Sequence, residues 1–167
     1  SHLPWSVKVA AALAGLSGSS EKGLAYLRDV AHSNGENEVD AKVVLTLFLR
    51  REHQYDEALG YMNELSEKYP GHYLFLTEVA NLQRAAGRLP ASEAGYRKVW
   101  QNGREGKYGN LHYELAAWGL GELLRGEKNF AAASAAYELV NQAPDPDPDV
   151  LQRANLAAGE MLSLIHI

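Results

Sequence analysis

The chain has 167 residues, 16 of them Lys or Arg and 21 Asp or Glu, for a formal charge of -5, and it has no Cys. That balance argues against a dedicated nucleic-acid binder, which needs a concentrated basic face, and the absence of Cys excludes disulfides, thiolate zinc sites and cysteine nucleophiles. No apolar run reaches the roughly 18 residues of a membrane-spanning helix, while 24 alanines point to closely packed helices.

The chain opens Ser1-His2-Leu3, without an initiator Met or a signal-peptide pattern. A fragment with a missing N-terminus is therefore expected, and cytoplasm and periplasm both stay open. Residues 4–38 read as a degenerate helix pair, in which Gly23, Leu27 and Val30 precede Ala58, Met62 and Leu65 by 35 residues. Residues 41–51 predict a helix, followed by a second that starts at Tyr55, carries Ala58 and Met62 and ends near Pro70. Residues 75–86 predict the next helix. Its partner carries Leu89, Ser92, Tyr96 and Val99, 34 residues beyond Tyr55, Ala58, Met62 and Leu65. A link over residues 101–112 contains Gly103, Gly106 and Gly109. Residues 113–125 predict a further helix, and Phe130, Ala133, Tyr137 and Val140 repeat the phrase 41 residues on, with Pro144 soon after. A last helix begins around Asp149 and includes Ala157 and Ala158. Leu162-Ser163-Leu164-Ile165-His166-Ile167 matches the translation of a sequencing-library adapter, and these six residues are expected to be an artefact.

Each unit is a helix, a tight turn and a second helix. The first helix carries a large residue before a small one: Leu45-Thr46, Val79-Ala80 and Leu120-Gly121. A short helix pair cannot bury its apolar face alone, and stacking on a neighbour completes the core. Ala58, Ala80, Gly121 and Ala133 are expected where helices cross closely, with Tyr96, Phe130 and Tyr137 filling the space between. The pattern Leu120-Gly121, Leu124, Phe130, Ala133, Tyr137 and Pro144 resembles the tetratricopeptide repeat (TPR) family, and Leu45, Leu49, Tyr55, Ala58, Met62 and Pro70 match it nearly as well. The middle unit has Ser92 in place of Ala and no closing Pro. The resemblance implies an all-α, right-handed α-solenoid of antiparallel helix pairs, of bacterial type. Its divisions are residues 4–38, a degenerate pair; 39–72, a repeat; 73–112, a repeat with an extended link; 113–146, a repeat; and 147–161, the first helix of a truncated repeat. Residues 162–167 are the adapter. A truncated last repeat would leave an apolar face open to self-association.

Chemistry-bearing patterns are sparse. His2, His32, His53, His72, His112 and His166 form no tight metal-binding set. Pro144-Asp145-Pro146-Asp147-Pro148-Asp149 has alternate acids like the start of an EF-hand loop. Counting from Asp145, however, Val150 and Leu156 stand where Gly and Glu are needed. An extended linker whose Asp147 or Asp149 caps the next helix fits better. Gly103-Arg104-Glu105-Gly106-Lys107 lacks phosphate-loop spacing. No catalytic, cofactor or metal residue is assigned, and the chain is not expected to be an enzyme.

The family resemblance implies ligand contacts from the first helix of each pair. With Val39, Tyr73 and Glu114 as first residues, the rows are Asp40, Val43, Leu47, Arg50 and Arg51; Leu74, Thr77, Asn81, Arg84 and Ala85; and Leu115, Trp118, Glu122, Arg125 and Gly126. Position twelve is Arg in all three. Arg50, Arg84 and Arg125 therefore form an expected ladder for partner carboxylates, unless they serve as helix C-terminal caps. The expected peptide-binding set is Arg50, Arg51, Thr77, Asn81, Arg84, Trp118, Glu122 and Arg125, with Trp118 either an anchor or a packed residue. The carboxylate clamp of the family is a poor match, since Val43 and Leu47 occupy its places and Asn81 alone fits. The expected role is a scaffold for a protein or peptide ligand, with no nucleic acid and no direct membrane insertion. The alternative is a regulatory or structural arm of a larger enzyme.

Overall fold

The computed structural model describes residues 20–109 and 111–165. The parts of the first helix pair before residue 20, and His166 and Ile167, lie outside them. Eight helices follow one another, and no strand occurs among the described residues: α1 Ser20–Ala31, α2 Glu38–Arg51, α3 Tyr55–Lys68, α4 Tyr73–Ala85, α5 Leu89–Arg104, α6 Glu114–Gly126, α7 Phe130–Leu139 and α8 Pro148–Ile165. A 3-10 turn, Val140–Gln142, extends α7. No described helix is long and apolar enough to cross a membrane. The structure divides into two compact units, Ser1–Met62 and Asn63–Ile167.

The recurrence seen in the sequence is also a recurrence of local backbone. α2, α4 and α6 each end two residues before a position held at positive φ: His53 at 58°, Gly87 at 75° and Lys128 at 61°. These positions stand 34 and then 41 residues apart, the spacing of the sequence phrase. The next residue closes the helix in each case. The N–H of Gln54 donates to the Leu49 carbonyl at 2.7 Å, that of Arg88 to Gln83 at 2.8 Å and that of Asn129 to Leu124 at 2.9 Å. The left-handed residue itself donates to the position-twelve carbonyl: His53 to Arg50 at 3.1 Å, Gly87 to Arg84 at 3.0 Å and Lys128 to Arg125 at 3.0 Å. This double bond pattern is the Schellman ending, which satisfies carbonyls that a helix end otherwise leaves orphaned. It turns the backbone sharply enough for the next helix to start almost at once. Asn129 opens α7, its Oδ1 accepting from the Ala132 N–H at 3.3 Å, and Pro90 sits in the first turn of α5, where no N–H is needed.

In the unit that ends at Met62, α1 packs on α2. Leu27, Ala31, Ala41, Leu45, Leu49 and Ala58 are buried. Arg28 on α1 grips Glu57 in the first turn of α3 with both arms of its guanidinium, Nε at 2.7 Å and Nη2 at 2.9 Å. That geometry raises the pKa of Arg28 and lowers that of Glu57, chiefly through the hydrogen bonds between them and against the cost of burial.

In the unit from Asn63 onward, α4 packs on α5, α5 on α6, α6 on α7 and α7 on α8. One hydrophobic cluster runs from Tyr73 to Met161. Small residues set its spacing. A Cβ at Gly119 would lie 2.5 Å from the ring of Tyr96, and one at Gly121 would lie 2.4 Å from the ring of Tyr137. Both rings are fully buried, so each glycine is the socket for a tyrosine of the second helix of a pair. Phe130 is only half-buried at the edge of the same cluster. Ser92, which departs from the Ala of the other units, is also fully buried. Its hydroxyl donates to the Ala80 carbonyl at 2.7 Å, so the added oxygen is satisfied.

The long link is shorter than the sequence suggests. α5 continues to Arg104, and Gly103 is a buried helix residue, with the Tyr113 ring 2.2 Å from where a Cβ would stand. Only Gly106 and Gly109 serve as turn residues, at φ 76° and 63°. Tyr108 tucks back between them and is buried beside Tyr73, with ring centres 6.1 Å apart.

Candidate functional site

The expected site residues fall on α2, α4 and α6. Arg50 and Arg51 belong to the first unit. Arg51 is exposed and lies 3.9 Å from Glu52, and Arg50 is half-buried and partnered. The other six residues belong to the second unit.

Thr77 is buried and returns its hydroxyl proton to the Tyr73 carbonyl at 2.7 Å, so it offers no group to a ligand. Asn81 is half-buried. Its Nδ2 donates to Glu78 at 2.8 Å and its Oδ1 accepts from the Tyr96 hydroxyl at 2.6 Å. Glu122 occupies the equivalent place on α6 and accepts from the Tyr137 hydroxyl at 2.6 Å. The two position-nine residues therefore orient the buried tyrosines from behind. Burial pushes the Tyr137 phenol well above its ordinary value, and the hydrogen bond and charge of Glu122 add to this, against a smaller opposing effect of Arg125.

The arginines reach forward to the first helix of the following pair. Arg84 Nη1 lies 3.5 Å from the Gly119 carbonyl of α6. Arg125 Nη2 donates to Glu160 of α8 at 3.1 Å, with both side chains substantially exposed. Both contacts span 35 residues in sequence. Trp118 shares this face. It is half-buried, its ring centre 5.2 Å from that of Tyr137 on the inner side, and the Arg153 guanidinium lies 5.9 Å from the Trp118 ring centre. Trp118 is thus both packed and accessible. An indole with a cation over it is a ready surface for a further planar or apolar group.

Leu74, at position two of α4, is 44% exposed, and Leu115 at the same position of α6 is partly buried. Arg153 and Glu160 were not among the residues expected from sequence. The signal for them is simple: the register of Trp118 and Arg125, carried 35 residues forward, lands on both.

A second polar feature lies at the start of α6. Glu114 is 1% exposed. Its Oε1 accepts from the Asp147 N–H at 2.8 Å and meets His112 Nδ1 at 3.0 Å. Asp147 Oδ1 in turn accepts from the N–H groups of Asp149 at 2.9 Å and Val150 at 3.2 Å, the N-cap expected of the Pro-Asp linker. These acids therefore hold helix starts. Among the described residues, no three His, Asp or Glu side chains converge as a metal set would.

The geometry defines an all-helical protein of consecutively packed helices, with a mixed aromatic and charged face on α4, α6 and α8. No family model and no curated protein matches the sequence.

Proposed function

We propose that the protein is a tetratricopeptide-like scaffold that binds an extended peptide or protein segment along α4, α6 and α8. On this reading those helices line the concave side of a right-handed solenoid. One observation carries it: Trp118 stands half-open on this face, with Arg153 against its ring and the Arg84 guanidinium reaching the adjacent Gly119 carbonyl. Arg84 has five donors and only a long contact to that carbonyl, so it keeps donors for a ligand carboxylate. Leu74 adds apolar surface on the same face.

The test is selection of binders from a displayed random peptide library, followed by affinity measurement on substituted variants. Arg84→Glu and Arg153→Glu are expected to weaken the selected peptides at least tenfold, about 1.4 kcal/mol, while the helical circular dichroism stays unchanged. Peptides that bind both variants as well as the parent protein would place recognition elsewhere.

A further inference from the structure

The sequence holds two Asn-Gly pairs, Asn34-Gly35 and Asn102-Gly103. Glycine after asparagine leaves the next peptide nitrogen without a Cβ to shield it and with a freely turning backbone. That nitrogen can then reach the amide carbon of the asparagine before it. The two pairs stand in opposite surroundings.

Asn102 and Gly103 lie within α5. The Gly103 N–H belongs to the helical ladder, and the Tyr113 ring covers its Cα. The Asn102 amide is held at both ends, Nδ2 donating to the Tyr108 hydroxyl at 3.1 Å and Oδ1 accepting from Lys107 Nζ at 3.1 Å. Asn34 and Gly35 are both exposed in the turn between α1 and α2, and Asn34 has φ 50°, outside any helix. Among the described residues neither the Asn34 amide group nor the Gly35 N–H makes a hydrogen bond.

We propose that Asn34 is a site of self-catalysed deamidation, and that the fold spares Asn102. The Gly35 nitrogen attacks Asn34 Cγ. A new bond between that nitrogen and Cγ closes a five-membered succinimide, the Cγ–Nδ2 bond breaks, and ammonia leaves with the proton that Gly35 gives up. Water then opens the ring at either carbonyl, giving aspartate or isoaspartate. Solvent is the only co-reactant. The aspartate product places a carboxylate just ahead of α2, where a helix N-terminus favours negative charge. The isoaspartate product lengthens the backbone within the turn that the Glu38 N–H closes onto the Gly35 carbonyl at 3.0 Å. It is expected to loosen α1 from α2.

The full-length protein is incubated at mildly alkaline pH, folded and in urea. Peptide masses and isoaspartyl methyltransferase labelling follow each site. In the folded protein the Asn34 peptide is expected to convert at a rate close to its rate in urea, while the Asn102 peptide converts only in urea. Protection of Asn34 by folding to the same degree as Asn102 would overturn the assignment. Gly35→Ala supplies an independent check. The added Cβ would meet only the Ser33 hydroxyl oxygen at 3.2 Å, the end of a small side chain, so the turn is retained. Conversion is expected to slow several-fold, and an unchanged rate in this variant would equally refute the proposal.

Discussion

Glycine positions in this protein divide by what stands over them, and the division sets the sign of a substitution. Gly60 lies inside α3 with nothing within 4 Å of a built Cβ. Gly60→Ala is expected to stabilise by up to about 1 kcal/mol, the helix-propensity difference. Gly121 lies inside α6 with the Tyr137 ring 2.4 Å from that same point. The propensity gain is the same there, but overpacking typically costs about 1–3 kcal/mol, and a fully buried ring has nowhere to retreat. Gly121→Ala is therefore expected to destabilise. Thermal melts of the two variants should move in opposite directions, and parallel shifts would contradict the socket. Lys128 presents the reverse case: an L side chain held at φ 61° where the equivalent turn has Gly87. The left-handed conformation costs roughly 1–2 kcal/mol without glycine, partly offset by glycine's own entropy. Lys128→Gly is expected to gain about 0.5–1 kcal/mol, checked by denaturant midpoint at constant m-value. The Tyr137 phenol adds a pH signature. Its pKa is raised above the ordinary 10.0, so the folded protein holds the proton more tightly than the unfolded one. The stability this provides is complete below pH 10 and is lost as pH rises above that value. In Tyr137→Phe the alkaline decline of stability should be shallower, although the variant starts lower for want of the bond to Glu122.

Helix order and phase were legible because the apolar and small residues recur at a fixed interval, and that interval reappears as the spacing of the three Schellman endings. The endings themselves were hidden, since His53 and Lys128 give no hint of positive φ. Gly103 was read as part of a link, because a glycine under a tyrosine ring looks in sequence like a glycine in a turn. The site was legible in part. Arg84, Trp118 and Arg125 share the expected face, yet nothing in the sequence shows Asn81 and Glu122 turned towards hydroxyls of tyrosines 15 residues on. Buried connections between elements follow the same logic. Glu114 ties the start of α6 to the linker ahead of α8 through the Asp147 N–H. Glu114→Gln keeps an acceptor oxygen and is expected to cost less than Glu114→Ala, which strands that buried N–H at about 1–3 kcal/mol. Equal losses in the two variants, read by chemical denaturation, would show that the carboxylate's bond to the linker carries no weight.

In a stack of helices each element is supported only by its neighbours, so stability has a direction along the stack. Within residues 63–167 the most supported element is α6, which meets α4, α5, α7 and α8. It also holds the sockets Gly119 and Gly121 and buries Leu120, Leu123 and Leu124. α8 has a buried side, through Ala154, Ala157 and Met161, but Leu156, Leu162, Leu164 and Ile165 face outward. Local opening should thus be cheapest in the last turn of α8 and dearest in the middle of α6. Native-state amide exchange tests this directly. The amides of residues 119–124 are expected to exchange only near the global unfolding free energy of this unit, and those after Met161 at much smaller values. Gly121→Ala should lower protection first in α6 and α7, the helices whose contact it forces apart, and only then in α4. Uniform loss of protection along residues 73–161 would instead mean that the stack opens as a single cooperative block, with no element more secure than its neighbours.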